Sequence, residues 1–367
     1  MVIERRAAGL ALALSAALTL SGCGDGGRTP SRATVRDSAG ITIVENEPGG
    51  VWRDGETWTL SAEPVLDIGV LEGDEVYQLH LAADAVRLSD GRIVIANAGT
   101  HDLRFYGSDG RHLRSVGRQG GGPGEFERID ALDRLAGDTL AVWDTEALRL
   151  SSFTPDCELV RSVSAALTEP GFGQRHYGTF SDGSFVLRAS FSPNAFTSGE
   201  GLRRDTTAYK RYNGADGATL DTIALTPGME AFVQSSGDMF RVNLVPFHRA
   251  SHAAVHSEDA YVGVSDRFEI GVTDARGALR RIVRLDVDLT PVTDADVRLY
   301  AETNAADRLS PEERDDPSAV QRSVQTIVDR PRPETFPMFD ALVVDDVGFL
   351  WVREYERPGA EGPRHWD

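Results

Sequence analysis

The sequence predicts an all-β fold of the β-propeller type, and three observations predict it. Short alternating apolar segments run from Asp37 onward, turn dipeptides separate them, and the pattern repeats at intervals of about 46 residues, which suits blades of four strands. Each repeat begins with a turn that leads directly into a strand. Asp90-Gly91 precedes Arg92–Ala96, Gly137-Asp138 precedes Thr139–Trp143, and Asp182-Gly183 precedes Ser184–Leu187. Two further copies follow at wider spacing, Glu258–Ala260 before Tyr261–Val264 and Asp346–Gly348 before Phe349–Val352. The first four repeats also have a second strand pair, closed at Ser108–Gly110, Pro155–Cys157, Ala215–Gly217 and Ala275–Gly277. Tight hairpins need positive φ, which Gly and Asp tolerate. Five blades are therefore visible in whole or in part.

The wider spacings have causes in the sequence. Residues 198–206 and 225–246 read as long loops. A small helical insertion, about residues 290–330, separates blades four and five. Within it, Ser310-Pro311-Glu312-Glu313 places a serine cap, proline at the first helical position and glutamate at the third, a capping box. Thr293–Tyr300 reads as a preceding helix. Ser318–Val328, with Val320, Val324 and Ile327 on one face, reads as a following one. Such helices belong on one face of the disc, because the blades pack sheet on sheet.

The amino terminus has a different character. Arg5 and Arg6 form a positive region, and Ala7–Leu20 is small and apolar without charge. That stretch is shorter than the ~20 residues that a permanent membrane helix needs. It ends in Leu20-Ser21-Gly22-Cys23, which matches the bacterial lipobox. Residues 1–22 are thus expected to be a lipoprotein signal peptide, with Cys23 the lipid-modified first residue of the mature chain. Each buried CH₂ of an acyl chain contributes ~0.8 kcal/mol, so several chains on one cysteine anchor stably. Residue 24 is Gly and not Asp, which favours the outer membrane in a two-membrane cell. Residues 23–36, small, polar and Gly/Pro-bearing, read as a flexible tether to a propeller over 37–367.

Composition narrows the partners. The net charge is −19, and cleavage after Gly22 removes Glu4, Arg5 and Arg6, leaving the chain one unit more negative. So acidic a globule repels nucleic acid and anionic lipid headgroups, and no nucleic-acid partner is expected. Beyond Cys23 the only cysteine is Cys157, so neither an intramolecular disulfide nor a cysteine zinc site fits. Cys157 falls where the sister repeats have a turn Gly or a neighbouring residue, and it reads as a buried or turn-edge structural thiol and not a nucleophile.

Three segments carry a resemblance. Leu88–Asn97, Leu103–Gly110 and Gly117–Phe126, with its Gly-Pro-Gly-Glu-Phe run, resemble the six-bladed β-propeller lipoproteins of bacterial envelopes, which are related to NHL-repeat propellers. The strand Leu350–Tyr355 resembles them too. The likeness spans most of Asp37 to Asp367 and is weak in blade three. It implies six blades and an envelope location, and most members have no assigned activity. Against that pattern the chain stops at Trp366-Asp367, where blade five should continue into its outer strands. Residues 38–69 read as outer strands awaiting inner ones from the carboxy terminus, so the sequence is expected to be a truncated version of a longer protein.

Two constellations are candidates for chemistry. His248, His252 and His256 are spaced by four, which puts them on one face of a helix or of a strand, and three imidazoles can hold zinc with an open position for water. A straight strand, however, spaces such ligands too widely for one ion. The competing reading is three half-exposed histidines along a channel-lining or loop segment. Six residues beyond each strand-starting turn lie Asn97, Asp144, Ala189, Asp266 and Glu354. Equivalent positions in successive blades form a ring, so Asn97, Asp144, Asp266 and Glu354 are candidate channel-rim ligands for a cation. The bland alternative is that Asn and Asp at a strand end close the turn with their own side-chain oxygen. Gly120–Gly124 lacks the Lys-Ser/Thr ending of a phosphate loop and reads as a blade-linking turn.

No residue pattern demands a cofactor; a divalent cation at one of those two sets is the exception. The leading expectation is a membrane-anchored extracytoplasmic propeller that binds an envelope protein, a small molecule or a glycan. The alternative is a metal-dependent propeller hydrolase or lyase acting on a small extracytoplasmic substrate. A structural role in an envelope assembly is a third reading.

Overall fold

The computed structural model describes residues 33–48, 63–167, 174–188, 200–236 and 239–360. The signal-peptide and lipobox positions, Leu20, Ser21, Gly22 and Cys23, lie outside the described residues, as do Ala189 and 361–367.

A hairpin comes first, β1 (Ala33–Ser38) and β2 (Ile41–Asn46). Blade one is the antiparallel meander β3 (Ala82–Arg87), β4 (Ile93–Asn97), β5 (Asp102–Tyr106) and β6 (His112–Val116). Blade two repeats it with β7 (Ile129–Arg134), β8 (Leu140–Asp144), β9 (Arg149–Phe153) and β10 (Leu159–Ser164). Blade three comprises β11 (Arg175–Thr179), β12 (Phe185–Arg188), β13 (Gly201–Tyr212), β14 (Thr219–Ser236) and β15 (Met239–Leu244). Blade four contains β16 (Ser251–His256), β17 (Asp259–Val264), β18 (Glu269–Asp274) and β19 (Leu279–Leu285). Blade five shows two strands, β20 (Phe339–Val344) and β21 (Leu350–Glu354).

Apolar alternation on each strand builds a separate core between successive blades from one to five. Val94, Phe105, Phe126, Leu132, Val142 and Phe153 join blades one and two. Trp143, Leu150, Phe185, Leu187 and Tyr212 join two and three. Phe180, Val186, Tyr209, Ile223, Ala253 and Ala260 join three and four. Ile270, Val272, Phe339, Leu342 and Val352 join four and five. Sheets stacked face to face in sequence order around an axis are a propeller, so the fold class is as the repeats predict.

The turns obey the same chemistry. Gly110, Gly217 and Gly277 have φ of 79°, 75° and 82°, and Cys157 takes their place in blade two at φ 66°. Burial of this half-buried thiol raises its pKa to about 11, so it stays protonated and inert.

Three expectations need correction. Residues 198–206 and 225–246 are largely strand: β13 pairs with β14 from Gly201–Val233 to Tyr212–Thr219, and β15 extends the arm. Ala231, Val233 and Val245 are buried there, but bulges at Arg204/Thr206 and the Pro227-Gly228 pair interrupt the alternation that marks a strand in sequence. Within residues 38–69, of which 49–62 lie outside the described residues, the strand at Ile41–Val44 does not await inner strands from the carboxy terminus. Instead β2 runs parallel to β19 (Ile43 beside Ile282, Val44 beside Val283) and widens blade four to six strands. Ile43 is buried by that pairing, and Arg284 bridges Glu45 and Glu269 at 3.3 and 2.7 Å. Finally, β1 starts at Ala33, so residues 33–36, assigned to the tether, are strand.

The helical insertion is α1 (Asp294–Asn304), α2 (Pro311–Arg314) and α3 (Pro317–Val328). Capping boxes at Thr293/Asp296 and Ser310/Glu313 start the first two. Ala301, Ala305, Val324 and Ile327 close the α1–α3 contact, and Val297 seats the unit against Phe247 and Phe336. The insertion leaves after β19 and returns at β20, the end of the disc at which every inner strand begins.

Candidate functional site

Each blade's first strand lines the central channel: β3, β7, β11, β16 and β20. Four of the five have a register shift near the start, between Ala82 and Asp84, Ile129 and Ala131, His176 and Thr179, and Phe339 and Ala341. β16 pairs without one. A bulge turns an extra side chain away from the ladder, and bulges gather beside working sites. The residues so placed are Ala83, Asp130, Tyr177 with Gly178, and Asp340. Opposite them on the second strands stand Asn97, Asp144, Arg188 and Glu354, which pair with the first residue of each inner strand.

The predicted rim set divides. Asn97 and Asp144 are fully buried and act within their own blades. Asn97 Oδ1 accepts from the His80 amide at 2.7 Å, and its amide donates to Thr100 Oγ1. Asp144 accepts the amides of Glu127, Arg128 and Ala147 at 2.7, 3.1 and 3.0 Å, fastening the blade-linking segment to the turn after β8. Asp266 follows β17 and pairs with Arg204 at 2.6 Å. Glu354 is exposed at the end of β21.

The histidines are also separated. His248 precedes β16, and its Nδ1 lies 3.3 Å from the Val245 carbonyl. His252 presents its ring edge to Phe339 at 5.6 Å between centroids. His256 lies at the far end of the same strand, beside Gly348, and at ~3.3 Å rise per residue it sits about 13 Å further along. Among the described residues no three His, Cys, Asp or Glu side chains stand together so as to hold a metal ion. His248, His252 and His256 are thus spread along and ahead of one strand and are not brought together.

What does converge is a ring of opposite charges. On blade three, the Arg175 and Arg188 guanidiniums both lie over the Tyr177 ring, at 5.6 and 5.4 Å from its centroid. Stacking uses the face of a guanidinium, and its N–H groups bond in the plane of the edge. Tyr177 in turn meets Tyr209 edge-on at 5.2 Å, and Tyr209 donates to Ser251 Oγ at 2.9 Å. Arg188 also donates to the Ser251 carbonyl at 3.3 Å, so blade four positions it. On blade five, Arg353 pairs with Asp340 at 2.5 Å. Burial first, then the charges of Arg188, Arg175, His248 and Arg353, push the pKa of His252 down to about 4. The imidazole is thus neutral at pH 7 amid three arginines.

The acidic arc belongs to blades one and two. Asp130 is exposed in the bulge of β7, and its charge acts on both Tyr177 and His176. Deeper along the channel, Thr179 donates to Asp133 at 2.6 Å and lies 3.2 Å from His176 Nε2. Asp84 accepts from the Leu132 amide at 3.0 Å, and burial, with Asp133 nearby, raises its pKa. Burial lowers that of His176, so its neutral form is favoured within the chain. The mouth is divided in charge, with Asp84, Asp130 and Asp133 on blades one and two, Arg175 and Arg188 on blade three, and the paired Arg353 and Asp340 on blade five.

Sequence reasoning missed Arg175, Tyr177, Arg188 and Arg353. The ring rule pointed to the correct strand ends: in blade three the six-residue count lands on Ala189, one past Arg188, which the register pairs with the first residue of β11. In blade five the count lands on Glu354, which does hold that register position, and Arg353 is its neighbour in sequence.

No family model matches the chain, and no curated protein matches it. Among solved structures it is similar to an exported protein of Bacteroides fragilis, at 10% identity and a TM-score of 0.42, covering 86% of this chain and 75% of that one. It is also similar to a catalytically inactive virginiamycin B lyase from Staphylococcus aureus with quinupristin, at 12% identity and a TM-score of 0.27, covering 56% and 70%. A protein from Lactobacillus plantarum shares 17% identity at a TM-score of 0.30, covering 54% and 55%. All three scores are below 0.5, and the fold assignment stands on the strand topology of this chain. No helix among the described residues is long and apolar enough to cross a membrane.

Proposed function

We propose that this chain is a binding module that takes up a small zwitterionic solute at the channel mouth. The observation that carries the reading is the division of charge: Arg175 and Arg188 on blade three, Asp84, Asp130 and Asp133 on blades one and two, with Arg353 balanced by Asp340 on blade five. A carboxylate meets the N–H edges of Arg175 and Arg188, where charge-assisted bonds are strong. An ammonium then faces Asp130. A simple anion would gain from one arc and be repelled by the other, as would a simple cation, so a ligand carrying both charges fits best. The helical insertion borders this mouth and would set the size of the ligand.

The finer parts of the reading are proposed with it. Lipidation at Cys23, supported by the lipobox, would hold the disc on the extracytoplasmic side of a bacterial membrane, the outer one where there are two. Six blades is the count that the resemblance to envelope propellers supports.

Isothermal titration with amino acids, dipeptides and betaines, beside acetate and ethylammonium, tests the reading. A zwitterion should give saturable heat that Arg175→Ala/Arg188→Ala abolishes. Equal heats from acetate, or none from any zwitterion, would overturn it.

A further inference from the structure

A second site lies away from the channel, within the helical insertion. A cavity of about 360 Å³ opens between α3 and the segment Arg308–Glu313, lined by Arg308, Arg322, Arg330, Glu313, Ser323 and Thr326. That volume falls in the range of small-ligand pockets, ~300–1,000 Å³. Three guanidiniums meet here in a chain with 57 acidic and 38 basic residues, where surplus carboxylate would ordinarily neutralise each cation.

The chain itself supplies little counter-charge. Arg330 is half-buried and donates to neutral acceptors, the Leu244 carbonyl at 3.1 Å and Asn243 Oδ1 at 3.1 Å. Its pKa is lowered, first by burial and then by the nearby charge of Arg308. Glu313, the acid among the lining residues, accepts from the Ser310 amide and hydroxyl at 3.0 and 2.9 Å, completing the cap of α2. Arg322 reaches Asp316 only at 3.7 Å, at an exposed rim. The hydroxyls of Ser323 and Thr326 donate to the carbonyls of Ala305 and Arg322 at 3.0 and 2.8 Å, so they present acceptors and not donors to the cavity. Binding must therefore come from guanidinium N–H groups.

Crowding like charges beside a partly buried guanidinium is unfavourable unless an anion joins them. Planar guanidinium forks match tetrahedral oxyanions in bidentate fashion, and three of them call for more than one negative charge. We infer that this cavity binds a phosphate group, free or carried on a larger molecule, between Arg308, Arg322 and Arg330. The volume leaves room for a fragment attached to the phosphate. The inference rests on residues separate from the channel mouth and does not depend on its reading.

Titration of the purified chain with inorganic phosphate and with glycerol phosphate, at ionic strength matched by sodium chloride, tests it. Wild type should show saturable binding, and Arg308→Gln/Arg322→Gln should weaken it at least tenfold. Both side chains are solvent-facing and outside the helix contacts, so the fold is expected to survive. Arg308→Lys/Arg322→Lys keeps the charge without the fork and should give an intermediate loss. Co-sedimentation with phosphatidylglycerol vesicles separates the sources: loss in the glutamine variant marks a lipid headgroup, and soluble binding alone marks a free phosphate compound. No phosphate binding above the chloride control, or equal binding by the glutamine variant, would overturn the inference.

Discussion

Thr179 on blade three donates its hydroxyl hydrogen to Asp133 on blade two at 2.6 Å, so one short hydrogen bond ties two channel-lining strands together. His176 Nε2 stands 3.2 Å from the same hydroxyl, which makes Thr179 the centre of a polar link beside the apolar core that the two blades share. Thr179→Val keeps the volume and removes the link. It should cost about 1–3 kcal/mol, because Asp133 and His176 lose a partner that water replaces poorly. Urea denaturation, with the slope compared between variants, measures it; an unchanged midpoint would show the link to be inert.

Acid should destabilise the disc through two histidines. Burial lowers the folded-state pKa of His176, and burial with the surrounding arginines takes that of His252 to about 4. The unfolded chain takes up these protons first, near pH ~6.5, so stability is present above that value and is lost as pH falls from ~6.5 towards 4. His252→Gln removes one of these groups and should flatten the loss over that window. Denaturation midpoints of wild type and variant at pH 7.5 and 4.5 report the difference.

The same linkage couples ligand to proton. A carboxylate seated between Arg175 and Arg188 offsets the charge that disfavours the His252 imidazolium, so binding should take up a fraction of a proton near pH 5. Titrations in two buffers of different ionisation enthalpy would detect it, and buffer-independent heats would count against the seat proposed for the carboxylate.

Cys157 tests the turn. Its positive φ is costly for a branched side chain, so Cys157→Val should lose about 1–2 kcal/mol, while Cys157→Gly, matching the sister turns, should stay within about 0.5 kcal/mol of wild type. Thermal melting of the two variants side by side decides it.

On the blade-three arm, Glu230 is buried, accepts from the Arg249 amide at 2.8 Å, and pairs with the Arg249 guanidinium at 2.5 Å. Arg249→Ala should cost about 3–5 kcal/mol by leaving that carboxylate without its cation. Hydrogen exchange along β13 and β14 should quicken more than in blade one. Uniform quickening would place the ion pair in the global stability and not in the arm.

The parts of this fold that sequence revealed are those with local causes. Asp90-Gly91 and Ser108–Gly110 announce their hairpins within a few residues, and Ser310–Glu313 announces its helix through side-chain capping. Long-range pairing leaves no such mark: nothing near Ile43 says that its partner is Ile282. The blade-three arm was hidden for another reason, because Pro227-Gly228 and the bulge at Arg204 break the alternation by which a strand is recognised. Site residues follow the same division. Asn97 and Asp144 stand at regular offsets and were found, but their buried hydrogen bonds make them fasteners of turns. Arg175 and Arg353 lie on different blades, and only the closing of inner strands around one axis puts their charges on the same imidazole.

The parallel seam between β2 and β19 has a mechanical consequence. Tension applied ahead of Ala33 would enter at the edge of a single blade, through β1, which among the described residues is laddered to β2 alone. That hairpin can peel from β19 while the four strands behind it stay paired, so blade four carries a sacrificial element. A load on that end would be met by β1 and β2 before it reached β19 and the inner strands of the same sheet.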